Sequence, residues 1–592
     1  MRNSFVWDDT ALVLRDPLIR HWRLAPESFQ EFLFLDATAS DFYRPIQRLT
    51  FTADYALWGI NRADSTRTNA PDTGDSADTR AVLAAAQPGW HFTSVLIHAL
   101  AAVALYFLLN TWLKNGRILA TAAATLWAVH PLHTSAVTYV SGRADPLAAL
   151  FIFTALALLA HSHAGGGLKK GDRPAAWKVI GAALCCLLAL LSKEAGVAGL
   201  TLWLIWLLGK ARTSPRSWAA FAATAILVAT AYFTLRLSAD RTPPPHSSTT
   251  TTLVERAGLM TRALAEYTKL FIAPHNLHME RDITPKPATQ AIAGTLILAA
   301  FAAWAHWARR RAPDTALALA CAAAAWLPVS NLFTLNSTMA EHWLYVPSAF
   351  LIAALAFTAQ ALPRRPLAAI AAIATIWLTF LATQTWLQQT YWKDQTTFLN
   401  TTIERAGRGK RMLANLASLE LEAGHQAQGE ALLQEALALD PTSAGLHLMK
   451  AGIALSKSDT AAAQAAAANA QNDPFFTSEL LLLRSSIQML KDGKPNIKSL
   501  ATAAASSPRN WSIVRAHPLA LEYLGQPDEA YKALLLTNFT RNYRAESWRT
   551  IARMAEKLNN PAIAQKAYGE AANRDTRDTY SRDRIRLLSG AQ

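Results

Sequence analysis

Two carboxylates stand side by side behind an aromatic-apolar triplet at the start of the chain, Asp8 and Asp9 in "MRNSFVWDDT". Further along, histidines, cations and acids recur in short motifs between apolar runs. These are His130, His133, Arg143 and Asp145 in "HPLHTSAVTYVSGRAD", Lys193 and Glu194 in "SKEAG", and Glu341 and His342 in "NSTMAEHW". A carboxylate can take the proton of an attacking hydroxyl as general base, while Arg, Lys and His stabilise a departing phosphate. If the donor is a sugar on a lipid phosphate, the reaction sits at the bilayer surface and needs no nucleotide site in water. Consistent with this, there is no Walker loop and no GxGxxG behind a strand, and the Gly-rich "HAGGGLKKGD" reads as a linker. A blander reading has Arg143 pairing with Asp145, and Lys193 with Glu194, to neutralise helix ends. The gathering of so many such groups from separate turns favours a site. His130 and His133, at i and i+3, could instead hold a divalent metal with Asp145 or a member of the acid pair. Pro131 interrupts that helix and no third ligand is fixed by spacing, so no cofactor is assigned.

These motifs are separated by what must position them. The chain is 52% hydrophobic and 17% charged over 592 residues, too apolar for a soluble enzyme and too mixed to lie wholly in a membrane. Apolar runs near 90–109, 118–137, 146–162, 176–191, 195–209, 218–236, 288–308, 315–330, 344–361 and 367–387 predict about ten spans, several of them short. Every second connection is basic: Lys114/Arg117, Lys169/Lys170/Arg173/Lys178, Lys210/Arg212/Arg216, Arg309/Arg310/Arg311 and Arg364/Arg365. The positive-inside rule makes those turns cytoplasmic and puts the motifs, residues 1–87 and everything after 388 on the outer side. Much of the net charge of +15 is thereby topological, which removes the case for nucleic acid. Cys185, Cys186 and Cys321 lie in apolar runs without metal or redox spacing, as packing residues do. Ten spans that end outside also begin outside. The acid pair therefore belongs to a first outer loop, and an eleventh, N-terminal helix absent from this chain is expected to precede it.

The soluble parts divide similarly. Residues 1–87 form the first outer loop, whose stretch "NRADSTRTNAPDTGDSADTRA" reads as a flexible insertion. Residues 88–388 form the membrane domain, in which "LVERAGLMTRALAEYTKLFI" (253–272) suits an amphipathic helix at the outer interface. Residues 389–592 carry a repeat of about 34 residues. Counting from Lys410, Ala417, Gly429, Leu433, Ala436 and Pro441 fall on the tetratricopeptide positions, and Ala552, Ala564, Tyr568 and Ala571 do so counting from Ala545. The fold expected is all-α: a polytopic transmembrane domain followed by an outer helical solenoid, each pair of which buries its apolar face only against its neighbours.

Taken in order, "FVWDD", "YRPIQRLTF", "PGWHFTSVLIHAL", "AVHPLHTSAVTYVSGRADPLAALF", "LLSKEAGV" and "AEHWLYVPS", followed by tetratricopeptide repeats, resemble the transmembrane and tetratricopeptide-repeat O-mannosyltransferases and their bacterial relatives. These belong to the C-type (GT-C) glycosyltransferases. The resemblance implies an inverting membrane transferase that moves mannose or a similar hexose from a polyprenyl phosphate to a hydroxyl acceptor. It maps the catalytic acid onto Asp8 or Asp9 and makes Arg143, Lys193, His130 and His342 the candidates for the donor phosphate. His133, Asp145, Glu194, Glu341 and Tyr345 are supporting residues. The family has Arg where His342 stands and Glu where Ser135 stands, so phosphate binding at residue 342 would depend on imidazole protonation. The repeats would engage a protein Ser/Thr acceptor. The alternatives are transfer to a lipid or envelope polysaccharide, and a non-catalytic scaffold presenting repeats. A transporter is disfavoured because the charges cluster at span ends. Ala-rich composition and compact loops point to a bacterial inner membrane, with site and repeats in the periplasm, or to the ER membrane and lumen in a eukaryote.

Overall fold

The computed structural model of the protein describes residues 2–35, 41–61, 82–113, 116–164, 176–209, 215–239, 252–284, 287–332, 335, 337–362, 367–470, 473–508, 510–538 and 543–590. The expected insertion, most of the Gly-rich linker and the basic residues at 114, 169, 170, 173, 210, 212, 364 and 365 lie outside them. Every regular element among the described residues is helical.

Six of these helices are long and apolar enough to cross a membrane: Pro88–Trp112, Val140–Ala160, Pro215–Ser238, Ala288–Arg311, Glu341–Ala361 and Ala368–Trp392. The runs at 176–191, 195–209 and 315–330 appear as the shorter apolar helices Ala176–Ser192, Glu194–Gly209 and Pro313–Val329. The run expected as one element over 118–137 is divided. Its helix, Arg117–Ala128, stops ahead of Pro131, which cannot donate a backbone hydrogen bond, and the chain folds into short turns at Pro131–His133 and Thr134–Val137. The helices meet around Leu105, Trp127, Phe153 and Phe350, while Leu96, Ile226, Ile292 and Ile373 stay exposed on their outer faces. Exposed apolar faces of this kind suit a hydrocarbon surround.

Within the first loop, α1 (Pro45–Trp58) starts with Pro at its first position, where the missing N–H costs nothing. Arg48 on α1 pairs with Asp16 at 2.8 Å and donates to the carbonyls of Phe32 and Leu33, which fixes the irregular chain around it. The amphipathic stretch forms a helix over Leu253–Ile272, opened by a reciprocal Thr252–Glu255 capping box.

After the last span, Gln395–Ala406 leads into paired helices: Lys410–Glu422 with Gln426–Leu439, Ala444–Ser456 with Thr460–Asn469, Thr477–Asp492 with Ile497–Ser506, Ala516–Tyr523 with Pro527–Asn538, and Ala545–Lys557 with Pro561–Ala572. The repeat positions are small for a visible reason. Ala417, Gly429, Ala436, Ala552, Ala564 and Ala571 are buried between partner helices, and a Cβ at Gly429 would run into Leu421. The tight turns within pairs take a left-handed residue at Gly424, Ser458, Gly493, Gly525 and Asn559. Both ends of the solenoid reach the first loop. Phe398, Tyr391 and Trp392 share a core with Val6 and Tyr139, while at the far end Asp575 accepts from the Tyr55 hydroxyl at 2.9 Å and Thr576 donates to the Arg20 carbonyl at 3.1 Å.

One glycine governs the approach of the "SKEAG" turn to the preceding helix. A Cβ on Gly196 would overlap the Ala189 carbonyl and the backbone nitrogen of Leu190, neither of which can yield. Gly196→Ala is expected to cost about 1–3 kcal/mol through overpacking, read as a lowered Tm of the detergent-solubilised full-length chain. An unchanged Tm would contradict this close approach.

Candidate active site

The two adjacent acids have opposite environments. Asp9 is 0% exposed and both its oxygens are engaged: Oδ1 accepts from the Ser141 N–H at 2.8 Å and its hydroxyl at 2.5 Å, and Oδ2 accepts from the Val6 N–H at 3.1 Å. Burial pushes its carboxyl up to about 7, against the pull of these donors. Asp8 is only partly buried at the residue level, and its carboxylate is hydrogen-bonded by Tyr139. Burial raises its pKa as well, opposed by that bond and by the charges of Arg411 and Arg44. Asp9 is committed to tying the first loop to the "VSGRAD" turn, and Asp8 is the less buried acid of the pair.

The turn before Asp8 is strained. Trp7 has φ of 53°, a left-handed conformation rare for a bulky residue and costing on the order of 1–3 kcal/mol. It is held by its N–H donating to Gln395 Oε1 at 2.7 Å, and its ring packs against Phe398. Tyr139, which accepts from the Asp8 N–H at 3.1 Å, is fixed by stacking on Trp392 at 5.2 Å. Ser141 is fixed in turn by its carbonyl, which accepts from Gln47 on α1 at 2.8 Å. A Cβ on Gly142 would strike the Ser135 carbonyl, so that position has room only for glycine.

The ion pairs are not those adjacent in sequence. Arg143 pairs with Asp54 of α1 at 2.6 Å instead of Asp145, and Lys193 pairs with Asp145 at 2.6 Å instead of Glu194. Glu194 takes Arg44 at 2.9 Å and accepts from the Tyr43 N–H at 3.1 Å. Neighbouring side chains on tight turns diverge, so each finds its counter-ion on another element.

These partners correct several expected roles. Arg143 is 0% exposed and also donates to Ser94 and to the Trp90 carbonyl, so it braces the turn and presents no face to a phosphate. His130 is corrected likewise. Its Nε2 donates to the Phe271 carbonyl at 2.9 Å, its Nδ1 accepts from the Leu132 N–H, and burial pushes it down to about 4, leaving it neutral near pH 7. Both its nitrogens are thus engaged, and among the described residues no group of three or more His, Cys, Asp or Glu is placed to hold a metal ion. His133 bonds the Ser348 hydroxyl at 3.2 Å and lies against Trp127 and Tyr345, while Tyr345 contacts His98, so these supporting residues form a separate aromatic cluster. Glu341 accepts from Arg281 at 3.1 Å and from the His278 N–H at 2.8 Å, bracing the loop after the amphipathic helix.

The cations assembled on one shelf are Lys193 and Arg44, with His342 beside them. His342 feels the charges of Lys193, Asp145 and Arg44, and Arg44 in turn is felt by Asp8. Sequence reasoning missed Arg44, Asp54, Tyr139 and Ser141. The "YRPIQRLTF" motif offered a signal, since an Arg ahead of Pro and another four residues on open a helix whose charges must be paired once buried.

Several proteins share sequence with this chain. Protein O-mannosyl-transferase TMTC1 of Mus musculus is 28% identical over 160 residues, 26% of this chain and 14% of that protein. Protein O-mannosyl-transferase Tmtc2 of Drosophila melanogaster is 35% identical over 114 residues, 19% of this chain and 12% of its own length. Protein O-mannosyl-transferase TMTC2 of Homo sapiens is 28% identical over 156 residues, 26% and 15% respectively. The matched stretch thus spans only 12–15% of these relatives. No family model matches. The crystal structure of yeast Tom70 superposes over 83% of this chain and 95% of its own at 12% identity, with a TM-score of 0.28, too low to carry an argument.

The Arg143–Asp54 pair supplies a test of this geometry. Arg143→Met strands a closed-in carboxylate and is expected to cost about 3–5 kcal/mol, whereas adding Asp54→Asn should restore much of the loss. Thermal unfolding of the single and double variants in detergent reads the coupling, and additive losses would exclude it.

Proposed function

We propose that this protein is a membrane glycosyltransferase that moves a hexose, mannose or a close relative, from a polyprenyl phosphate to a hydroxyl, with inversion at the anomeric carbon. The observation that carries this reading is the half-buried Asp8 carboxylate, held by Tyr139 and under the influence of Arg44 on the shelf it shares with Lys193 and His342. The O-mannosyl-transferase names of the sequence relatives support it.

In the proposed step, the acceptor oxygen forms a bond to C1 as the C1–phosphate oxygen bond breaks, and the acceptor proton passes to Asp8. The electron pair leaves with the polyprenyl phosphate, whose charge Lys193 and Arg44 offset, with the His342 imidazole beside them as a neutral hydrogen-bonding group. Lys193 and Arg44 each share a carboxylate already, so the shelf is close to neutral without donor. A phosphate would compete with Asp145 and Glu194 for their N–H groups instead of meeting bare cations. The solenoid fits a polypeptide Ser/Thr acceptor, since stacked helix pairs offer a concave surface to an extended chain. The active face and repeats lie outside the cytoplasmic membrane, in the periplasm of a bacterium.

The test uses membranes containing the full chain and labelled polyprenyl-phosphate mannose, with transfer to protein and to glycan counted separately. Asp8→Asn is expected to lower kcat by about 100-fold or more, the scale of a lost general base. Asp9→Asn should lose activity together with thermal stability. Because burial raises the pKa of Asp8, activity should already be falling at pH values above the ordinary carboxylate value near 4, where a free carboxylate would still be ionised. Full activity in Asp8→Asn would remove the assignment, and label entering only glycan would move the acceptor away from protein.

A further inference from the structure

Arg411 lies on the first helix of the first solenoid pair, yet its side chain belongs to the acid loop. Its guanidinium sits over the Trp7 ring at 5.2 Å and pairs with Glu280 from the segment after the amphipathic helix. Trp7 is the residue with the left-handed backbone, and its N–H is held by Gln395 from the helix that opens the soluble region. Two helices of the soluble region thus converge on one strained residue immediately before Asp8, and Glu280 tethers the cation that one of them supplies. A strained bulky residue persists only where its surroundings over-determine it, and here those surroundings are largely solenoid. Arg411 is also more than half exposed at its side chain, so it remains within reach of whatever enters beside Asp8.

We propose that Arg411 is a positioning residue for the reaction: it clamps Trp7 from the solenoid side, so that the first helix pair completes the acid loop as well as docking an acceptor. This deepens the transferase reading and rests on it for the kinetic consequence only. The groups facing Asp8 are Tyr139 and Arg44 from the membrane part and first loop, Asp9 beside it, and Arg411 from the solenoid. Arg411 favours the ionised carboxylate, so its removal shifts the acid limb of the rate profile to higher pH. A residue that merely stabilised the solenoid would leave that limb in place.

The experiment uses the full-length protein in detergent or nanodiscs, with Arg411→Gln, Arg411→Lys and Glu280→Gln, and Arg586→Gln on the last solenoid helix as an exposed control. Hydrogen exchange of the Trp7 and Asp8 amides is expected to accelerate about tenfold or more in Arg411→Gln, with Arg411→Lys retaining most of the protection. With labelled polyprenyl-phosphate mannose and a short Thr-containing peptide, Arg411→Gln should lower kcat about tenfold, raise the acid limb and leave the donor KM unchanged. Exchange within about twofold of wild type in Arg411→Gln would overturn the clamp, whatever the activity. An unmoved acid limb alongside normal wild-type transfer would overturn the electrostatic half. Absence of transfer by the wild type would instead count against the transferase reading, with hydrogen exchange still deciding the clamp.

Discussion

The site depends on a carboxylate that takes no direct part in the proposed chemistry. Asp9 is enclosed, and a charge or proton there must be met by hydrogen bonds inside the protein because water cannot reach it. The donors are the Val6 and Ser141 backbones and the Ser141 hydroxyl, which join the start of the first loop to the turn before Pro146. Once that knot is tied, the residue just before Asp9 has little choice. Asp8 is turned outward, beneath a tyrosine whose own ring is fixed by Trp392. An adjacent acid pair thereby becomes one anchor and one open carboxylate.

The same logic of paired burial organises the cations. Arg143, Arg48 and Lys193 are each nearly excluded from solvent, and each meets an acid from a different element: Asp54, Asp16 and Asp145. Such pairs contribute little net stability compared with apolar packing, but breaking one is expensive, so they specify which segments lie together. Arg143 to Asp54 fixes the "VSGRAD" turn on α1; Lys193 to Asp145 fixes the "SKEAG" turn on the Val140–Ala160 span. The consequence is a graded set of cations, from the closed Arg143 to the more accessible Arg44.

The solenoid is continuous with this machinery. Its opening helix contributes Gln395 and Phe398 to the Trp7 turn, and its last turns return to Arg20 and Tyr55. The repeat helices bury alanine and leucine with some aromatic side chains between pairs, while the docking contacts come from the segment before the first pair and the turns after the last. Solenoid and acid loop consequently share residues.

By itself the sequence determined the helical class, the apolar runs and the phase of the first and last repeats. Those features are local: a 20-residue apolar run or a small residue at a helix crossing acts through its immediate neighbours, as the buried Ala417 and Gly429 illustrate. It also brought Asp8 and Lys193 to notice. Only the tertiary structure decided which acid of the pair faces outward, that Arg143 belongs to Asp54, that His130 is spent on Phe271, and that Arg44 and Arg411 reach the acid loop. The reason is that ionic and polar partners are chosen by proximity in three dimensions under a heavy desolvation penalty, across separations of 89 residues for Arg143 and Asp54 or 388 for Trp7 and Gln395. Sequence adjacency, which suggested Arg143 with Asp145 and Lys193 with Glu194, carries no such penalty and so gave the wrong pairs.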